Sequence, residues 1–175
     1  MKHVTSNIAG SLVPIVGEFR AEVFRANPEG GWTAEPARWI RNQLTAAGLN
    51  RIANRAVNAT GTSPFYIIGV GTATAASSLD STDFGEVANG RKTSIVTGTS
   101  AQSREWIFLQ ATYAGNTDSL TGIALDSAAL LCHASSGQGA VANIVNGMGV
   151  TLQASDYLFL TGRIRVGSHN LSHTN

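Results

Sequence analysis

Tyr157-Leu158-Phe159-Leu160-Thr161-Gly162-Arg163-Ile164-Arg165-Val166 alternates along its length. Successive side chains on a strand point to opposite faces. Leu158, Leu160, Ile164 and Val166 therefore share one face, and Tyr157, Phe159, Arg163 and Arg165 share the other. This is the period of a β-strand with one buried side. Ile15 to Arg25 has the same period, with Phe19, Ala21 and Val23 opposing Glu18, Arg20 and Glu22. Glu105 to Tyr113 alternates too, Ile107, Leu109 and Ala111 against Trp106, Phe108 and Gln110. Bulky residues on both faces of that third strand predict burial on two sides.

Between these anchors the chain reads mostly as strand and turn. Phe65-Tyr66-Ile67-Ile68-Gly69-Val70 is a continuous apolar run, and further strands are expected at Arg91–Thr97, Thr121–Leu125, Ala128–His133 and Val141–Val145. Asn27-Pro28-Glu29-Gly30-Gly31 is a turn, Asn58 to Ser63 a loop, and Gly71 to Gly90 a long small-residue loop carrying Asp80, Asp83 and Glu86. A single helix is expected within Glu35–Val57. Thr45 would cap it, and Leu49, Ile52, Ala53 and Ala56 would share its apolar face, while Gly48 weakens it. Trp39, Ile40 and Leu44 form either an approach strand or an earlier turn. Short strands, glycine-rich turns and one short helix define a mainly β protein, a β-sandwich or jelly-roll-like fold. Residues 1–14 read as an extended N-terminal arm ending at Pro14, 15–166 as one β-rich domain, and 167–175 as a polar C-terminal tail.

Charged residues make up 13% of the 175, about half the roughly 25% of ordinary domains, so little of the surface is coated with charge. Mean hydropathy is only +0.04, which rules out a broadly greasy chain. A thin coat is the expectation for a body largely covered by neighbouring subunits. Charge is sparsest after residue 56, whereas Arg20, Arg25, Arg38, Arg41, Arg51 and Arg55 gather before it. The net charge of +1 and the absence of a basic run argue against nucleic-acid binding. No apolar stretch approaches the roughly 18 residues of a spanning helix, so no membrane is expected.

No residue pattern requires catalysis, a cofactor or a metal. Cys132 is the sole cysteine, and its strand neighbour His133 would point to the opposite face, which opposes a thiolate–imidazole pair. His169 and His173 are spaced as ligands on a helix would be, but they lie in the polar tail. Gly69-Val70-Gly71-Thr72 lacks the third glycine and following helix of a dinucleotide loop. Asp80, Asp83 and Glu86, three apart, admit calcium binding, a general-acid pair or simple solvation. Trp32, in a turn-rich segment, is the tryptophan expected to be exposed; Trp106 is expected in the core.

One order of residues carries more than composition does. Gly17-Glu18-Phe19-Arg20-Ala21-Glu22-Val23-Phe24-Arg25 is followed by Trp32, then by Trp39-Ile40-Arg41-Asn42-Gln43-Leu44-Thr45-Ala46-Ala47-Gly48-Leu49-Asn50-Arg51-Ile52, then by Tyr66-Ile67-Ile68-Gly69-Val70-Gly71-Thr72. Over residues 17–80 this resembles small virion proteins of tailed bacteriophages. In those proteins a tryptophan-bearing segment runs into an N-L-x-x-x-A-G-L-x-x-I helix and then a V-G-x-G strand end. Gln43 stands here where asparagine is common. The resemblance implies a β-rich, non-enzymatic structural protein of a virion, assembled in the bacterial cytoplasm. A capsid cement or decoration protein is the first expectation, a homotrimer bound between subunits of the major capsid protein. A tail fibre, adaptor or baseplate protein with host-glycan binding at Trp32 is the alternative, and a small hydrolase using Asp80, Asp83 or His133 is a third class. The expected contact residues are Ile8, Leu12 and Val13 of the arm, Trp32, and Asp80 and Asp83 of the loop.

Overall fold

The computed structural model describes residues 15–56, 65–73, 83–100 and 103–166. Ten strands and one helix follow in order: β1 (Ile15–Ala26), β2 (Trp32–Ala34), β3 (Arg38–Leu44), α1 (Ala46–Ala56), β4 (Ile67–Gly71), β5 (Glu86–Thr93), β6 (Ile95–Ser100), β7 (Ser103–Ala114), β8 (Ala124–Leu131), β9 (Val141–Thr151) and β10 (Tyr157–Val166). The protein is mainly β, as its alternation requires. The long strand at the chain's end has the expected bounds, and β1 differs from expectation by one residue.

Every pairing between named strands is antiparallel, and the strands form two sheets that share β3. In the first sheet β1 lies between β3 and β10, β7 follows β10, and β6 forms the far edge. In the second the order is β5-β4-β8-β9-β3. Residues 38–42 of β3 pair with β1, and its last two, Gln43 and Leu44, pair with Ile144 and Asn143 of β9. The far edges also meet along the chain, because only Ser94 separates β5 from β6. One strand thus passes from one sheet to the other and a second crossing runs through Ser94, a recognised way of turning the corner between packed sheets.

The inner faces share one core. Phe19, Ala21 and Val23 of β1, Leu109, Ala111 and Tyr113 of β7, and Leu158, Leu160 and Ile164 of β10 meet Ile68 and Val70 of β4, Leu130 of β8 and Val145 of β9. The second sheet is covered on its other face as well. There Ile67, Phe84, Ala129, Leu131, Val141 and Ile144 form a smaller cluster. This explains the continuous apolar runs of β4 and β8, since a strand buried on both faces has no polar side to alternate with.

Helix α1 packs against β9 at a backbone irregularity. Leu130 pairs with Asn143 and Leu131 with Val141, which leaves Ala142 as the extra residue of a bulge. Its carbonyl accepts the Thr45 N–H at 2.9 Å, and the Asn143 side-chain oxygen accepts the Leu130 N–H at 3.2 Å. Thr45 caps α1 as expected, its hydroxyl accepting the Gly48 N–H at 2.9 Å while donating to the Val141 carbonyl. Gly48, expected to weaken the helix, is where it touches the sheet: a Cβ there would lie 2.2 Å from the Ala142 carbonyl oxygen. The apolar-face expectation needs revising accordingly. Ile52 packs on the core, but Leu49 and Ala53 are exposed, because the helix approaches through its smallest residue rather than through Leu49.

Other expectations are corrected. The loop expected to reach Gly90 ends earlier, since Glu86–Gly90 are part of β5. The strands expected at 121–125 and 128–133 are one strand, β8, and β9 runs six residues further than expected. β2 stands in what read as a turn-rich segment, and Arg38–Leu44 is an approach strand rather than a turn. The two-sided burial expected of β7 is one-sided among residues 108–113: Leu109, Ala111 and Tyr113 are buried, Phe108 and Gln110 half-buried, and Thr112 exposed. The arm at 1–14, the loop at 58–63 and the tail at 167–175 lie outside the described residues.

Candidate functional site

Antiparallel partners share a face, so the registers of the first sheet fix what its outer surface displays. Glu18, Arg20, Glu22 and Phe24 of β1 lie opposite Arg163, Thr161, Phe159 and Tyr157 of β10. Arg163 and Thr161 lie in turn beside Phe108 and Gln110 of β7, and Glu18 and Arg20 beside Arg41 and Trp39 of β3. Among the described residues no helix or further strand layer covers this face. It displays Phe24, Trp32, Trp39, Phe108, Tyr157 and Phe159, six of the chain's twelve aromatic residues (three Trp, three Tyr and six Phe). Aromatic side chains are the usual anchors of protein interfaces.

At one end of the face Trp32 is 57% exposed and Tyr157 38% exposed, the rings meeting edge to face at 5.6 Å and 73°. The Trp32 indole N–H donates to the Ser155 carbonyl at 3.3 Å, which fixes the ring's tilt. With Phe24 the pair lines a shallow apolar depression of about 280 Å³. The adjacent strand ends are tied by Arg25, which donates to Glu35 at 2.7 Å, to the Thr151 carbonyl at 2.6 Å and to Asp156 at 2.7 Å. Burial pushes the Asp156 carboxyl up, but the Gln153 N–H, the Arg25 guanidinium and the Ala26 N–H outweigh it and hold the pKa below the usual carboxylate range. This clamp presents the turn from Asn27 to Gly31 and Trp32 as a fixed projection.

Toward the other end, the Arg163 guanidinium lies 3.6 Å from the centroid of the Trp39 ring, a cation–π contact. Arg163 also donates to Glu18 at 2.6 Å. Glu18 is approached from its other side by Arg41 at 3.8 Å, whose side chain is 86% exposed. Trp39 itself is 40% exposed. Flat aromatic rings held by ordered partners lose little conformational entropy on docking, which favours them as contact residues.

The expected contact residues are only partly brought together. Trp32 is exposed as anticipated, and Asp83 lies elsewhere, accepting the Gly85 N–H at 2.8 Å. Ile8, Leu12, Val13 and Asp80 lie outside the described residues, as do His169, His173 and the side chain of Trp106. Glu86 does not join Asp83 in an acidic loop group; it sits in β5 and holds Arg91. The Arg91 guanidinium grips both Glu86 oxygens at 2.6 and 2.8 Å and donates to the His133 and Gln138 carbonyls at 2.6 and 2.9 Å. Burial raises the Glu86 pKa, but Arg91 and the Gly137 N–H outweigh it and leave it lowered. A depression of about 280 Å³ beside this pair is lined by Asp83, Phe84 and residues 137–139. Glu86 and Arg91 are engaged with each other and with the 133–138 loop, so the pair fastens that loop to the sheet.

Cys132 is buried and accepts the Ala140 N–H at 3.0 Å, whereas His133 is exposed; both lie just past the end of β8, not on the strand expected there. The glycine motif after β4 serves packing: a Cβ on Gly71 would lie 2.1 Å from the Phe84 carbonyl oxygen, where the 83–85 segment crosses. Among the described residues no three His, Cys, Asp or Glu side chains are grouped to hold a metal, and no helix is long and apolar enough to cross a membrane. Alternation set Arg163 on the face of β10 away from the core, but nothing in the sequence brought it together with Trp39 and Arg41. Their spacing on β3 and β10 held the signal, but the pairing of both strands with β1 did not show in it. Compared with protein-family models, curated proteins and solved structures, the chain matches none.

Proposed function

We propose that this chain is a structural virion protein of a tailed bacteriophage, a sandwich or jelly-roll-like subunit that works by docking rather than by chemistry. The observation that carries the reading is the uncovered outer face of the first sheet, with its six aromatic residues and ordered arginine–glutamate contacts. The most direct role is as a capsid cement or decoration protein, a homotrimer seated between major capsid subunits. Each contact would remove apolar surface from water, worth about 25 cal/mol per Å², and so hold neighbouring shell subunits together against internal pressure. Quantitative mass spectrometry of purified particles tests this. A copy number that scales with the shell subunit supports cementing, and copies confined to one vertex or to the tail refute it.

The second reading is a tail-associated protein that meets a host glycan. It rests on Trp32, whose exposed ring and fixed tilt beside Tyr157 resemble a platform on which a sugar ring can stack. A glycan array on the intact protein separates the two, because saturable binding lost in Trp32→Ala would favour the tail role.

A further inference from the structure

Charge is unevenly placed along the strand axis. The registers put the Ile15 end of β1 beside Val166, the Leu44 end of β3 and the start of β9. The Ala26 end lies with Tyr157, and beyond it with Ala114 of β7 and, through Arg25, with Thr151 at the end of β9. Around the first end, Arg41 and Arg163 flank Glu18, and the neighbouring strand ends carry Arg104, Glu105 and Arg165. Around the second, Glu29, Glu35, Asp118, Asp126 and Asp156 are set against Arg25 and Lys92. Asp126 accepts only backbone N–H groups, from Gly147 and Gly149, and Glu29 makes no ion pair with a described residue.

Each end pairs its charge with an exposed aromatic ring. Glu29 and Trp32 occupy the projecting hairpin, whose residues 28–36 are all exposed. Arg41 and Trp39 lie further along the outer face, opposite Glu18 and Arg20 of β1, with Arg163 stacked on Trp39. A closed ring of identical subunits with more than two members requires two different patches per subunit that fit each other. These two have the needed difference: opposite sign, an aromatic anchor in each, and separate positions on one molecule.

We infer that the Glu29–Trp32 hairpin of one copy docks on the Trp39–Arg41–Arg163 surface of a second copy, head to tail. The inference rests on the proposed self-assembly of the chain and names the surfaces that make it. Charge sets the orientation and speeds encounter, while Trp32 and Trp39 supply the desolvated centre. Exposed charges are screened beyond about 8 Å at physiological salt, so association falls as salt is raised.

Sedimentation velocity on the full chain tests this with the wild type, Arg41→Glu, Glu29→Arg and the double variant. The wild type should associate at micromolar concentration and dissociate with added salt. Either single reversal should weaken association by about tenfold or more, because it opposes like charges across the contact. The double variant restores opposite signs and should regain association. A monomeric wild type, single variants that associate like the wild type, or a double variant no better than the singles would each overturn the inference. Melting curves accompany every sample; if a reversal lowers the melting temperature, Arg41→Gln and Glu29→Gln replace it and should each give a smaller loss of association. Particle copy number tests the virion role separately, so failure of that role and failure of this contact give different results.

Discussion

Replacing Gly48 with alanine sets helix propensity and tertiary packing against each other. On an exposed helix the change would stabilise by about 1 kcal/mol, because glycine loses more backbone freedom and lacks a methyl group. Here the new Cβ would stand 2.2 Å from the Ala142 carbonyl oxygen, 2.7 Å from its Cα and 2.8 Å from its carbonyl carbon. All three are backbone atoms of the β9 bulge, so no side chain can rotate away. Relief requires α1 to lift by more than an ångström, which would strain the Thr45 N–H to Ala142 bond and the Ile52 contacts. Overpacking of this kind costs about 1–3 kcal/mol and occasionally more. With only backbone atoms to yield, the cost lies in the upper part of that range; after the propensity gain, Gly48→Ala should lose about 1–2 kcal/mol, a fall in melting temperature of about 2–8 °C for a chain of this size. Thermal and urea unfolding followed by circular dichroism would measure it. A melting temperature equal to or above that of the wild type would refute the packing described for α1.

Arg91→Met should destabilise by about 1–3 kcal/mol, because it leaves the half-buried Glu86 carboxylate without its cation and the His133 and Gln138 carbonyls without a donor; limited proteolysis should then cut within 133–139. Asp156→Asn should lower stability at neutral pH by about 1–3 kcal/mol through weakened bonds to Arg25, Ala26 and Gln153. Since the folded Asp156 pKa is depressed, its stabilisation is complete above the ordinary value of 3.8 and is lost as pH falls through the folded value. The variant's stability should therefore change less than the wild type's below pH 3.8, as acid titration of unfolding would show. Trp32→Ala should cost about 1 kcal/mol of stability, from the lost Tyr157 contact and Ser155 hydrogen bond, and leave the fold intact, yet abolish self-association in the ultracentrifuge.

The local rules were legible where a single residue type or a strict period carries them. Alternation placed β1 and β10, Asn27–Gly31 gave the turn, and Thr45 marked the start of α1 by the capacity of its hydroxyl to accept a helix N–H. Other readings failed where a residue's role depends on a distant partner. Gly48 reads as a weak helix residue until Ala142 is found against it, and Glu86 reads as a loop acid until Arg91 is found gripping both oxygens. Bulky outer residues on β7 read as buried, although the first sheet has nothing over that face among the described residues.

The sequence by itself determined a chain rich in strands with one capped helix, and a surface poor in charge. It could do so because strand period and cap chemistry act within a few residues. Only the tertiary structure decided which strands pair and which faces remain open. β4 and β8 gain cover on both sides from the shared core and the Phe84 cluster, while β1, β3 and β10 keep Trp39, Arg41, Tyr157 and Phe159 on an open face. Pairing partners lie as far apart as Ile15 and Val166, and no local pattern encodes that choice. It is made by the burial gained when two sheets close over one core, and the aromatic face left outside follows from it.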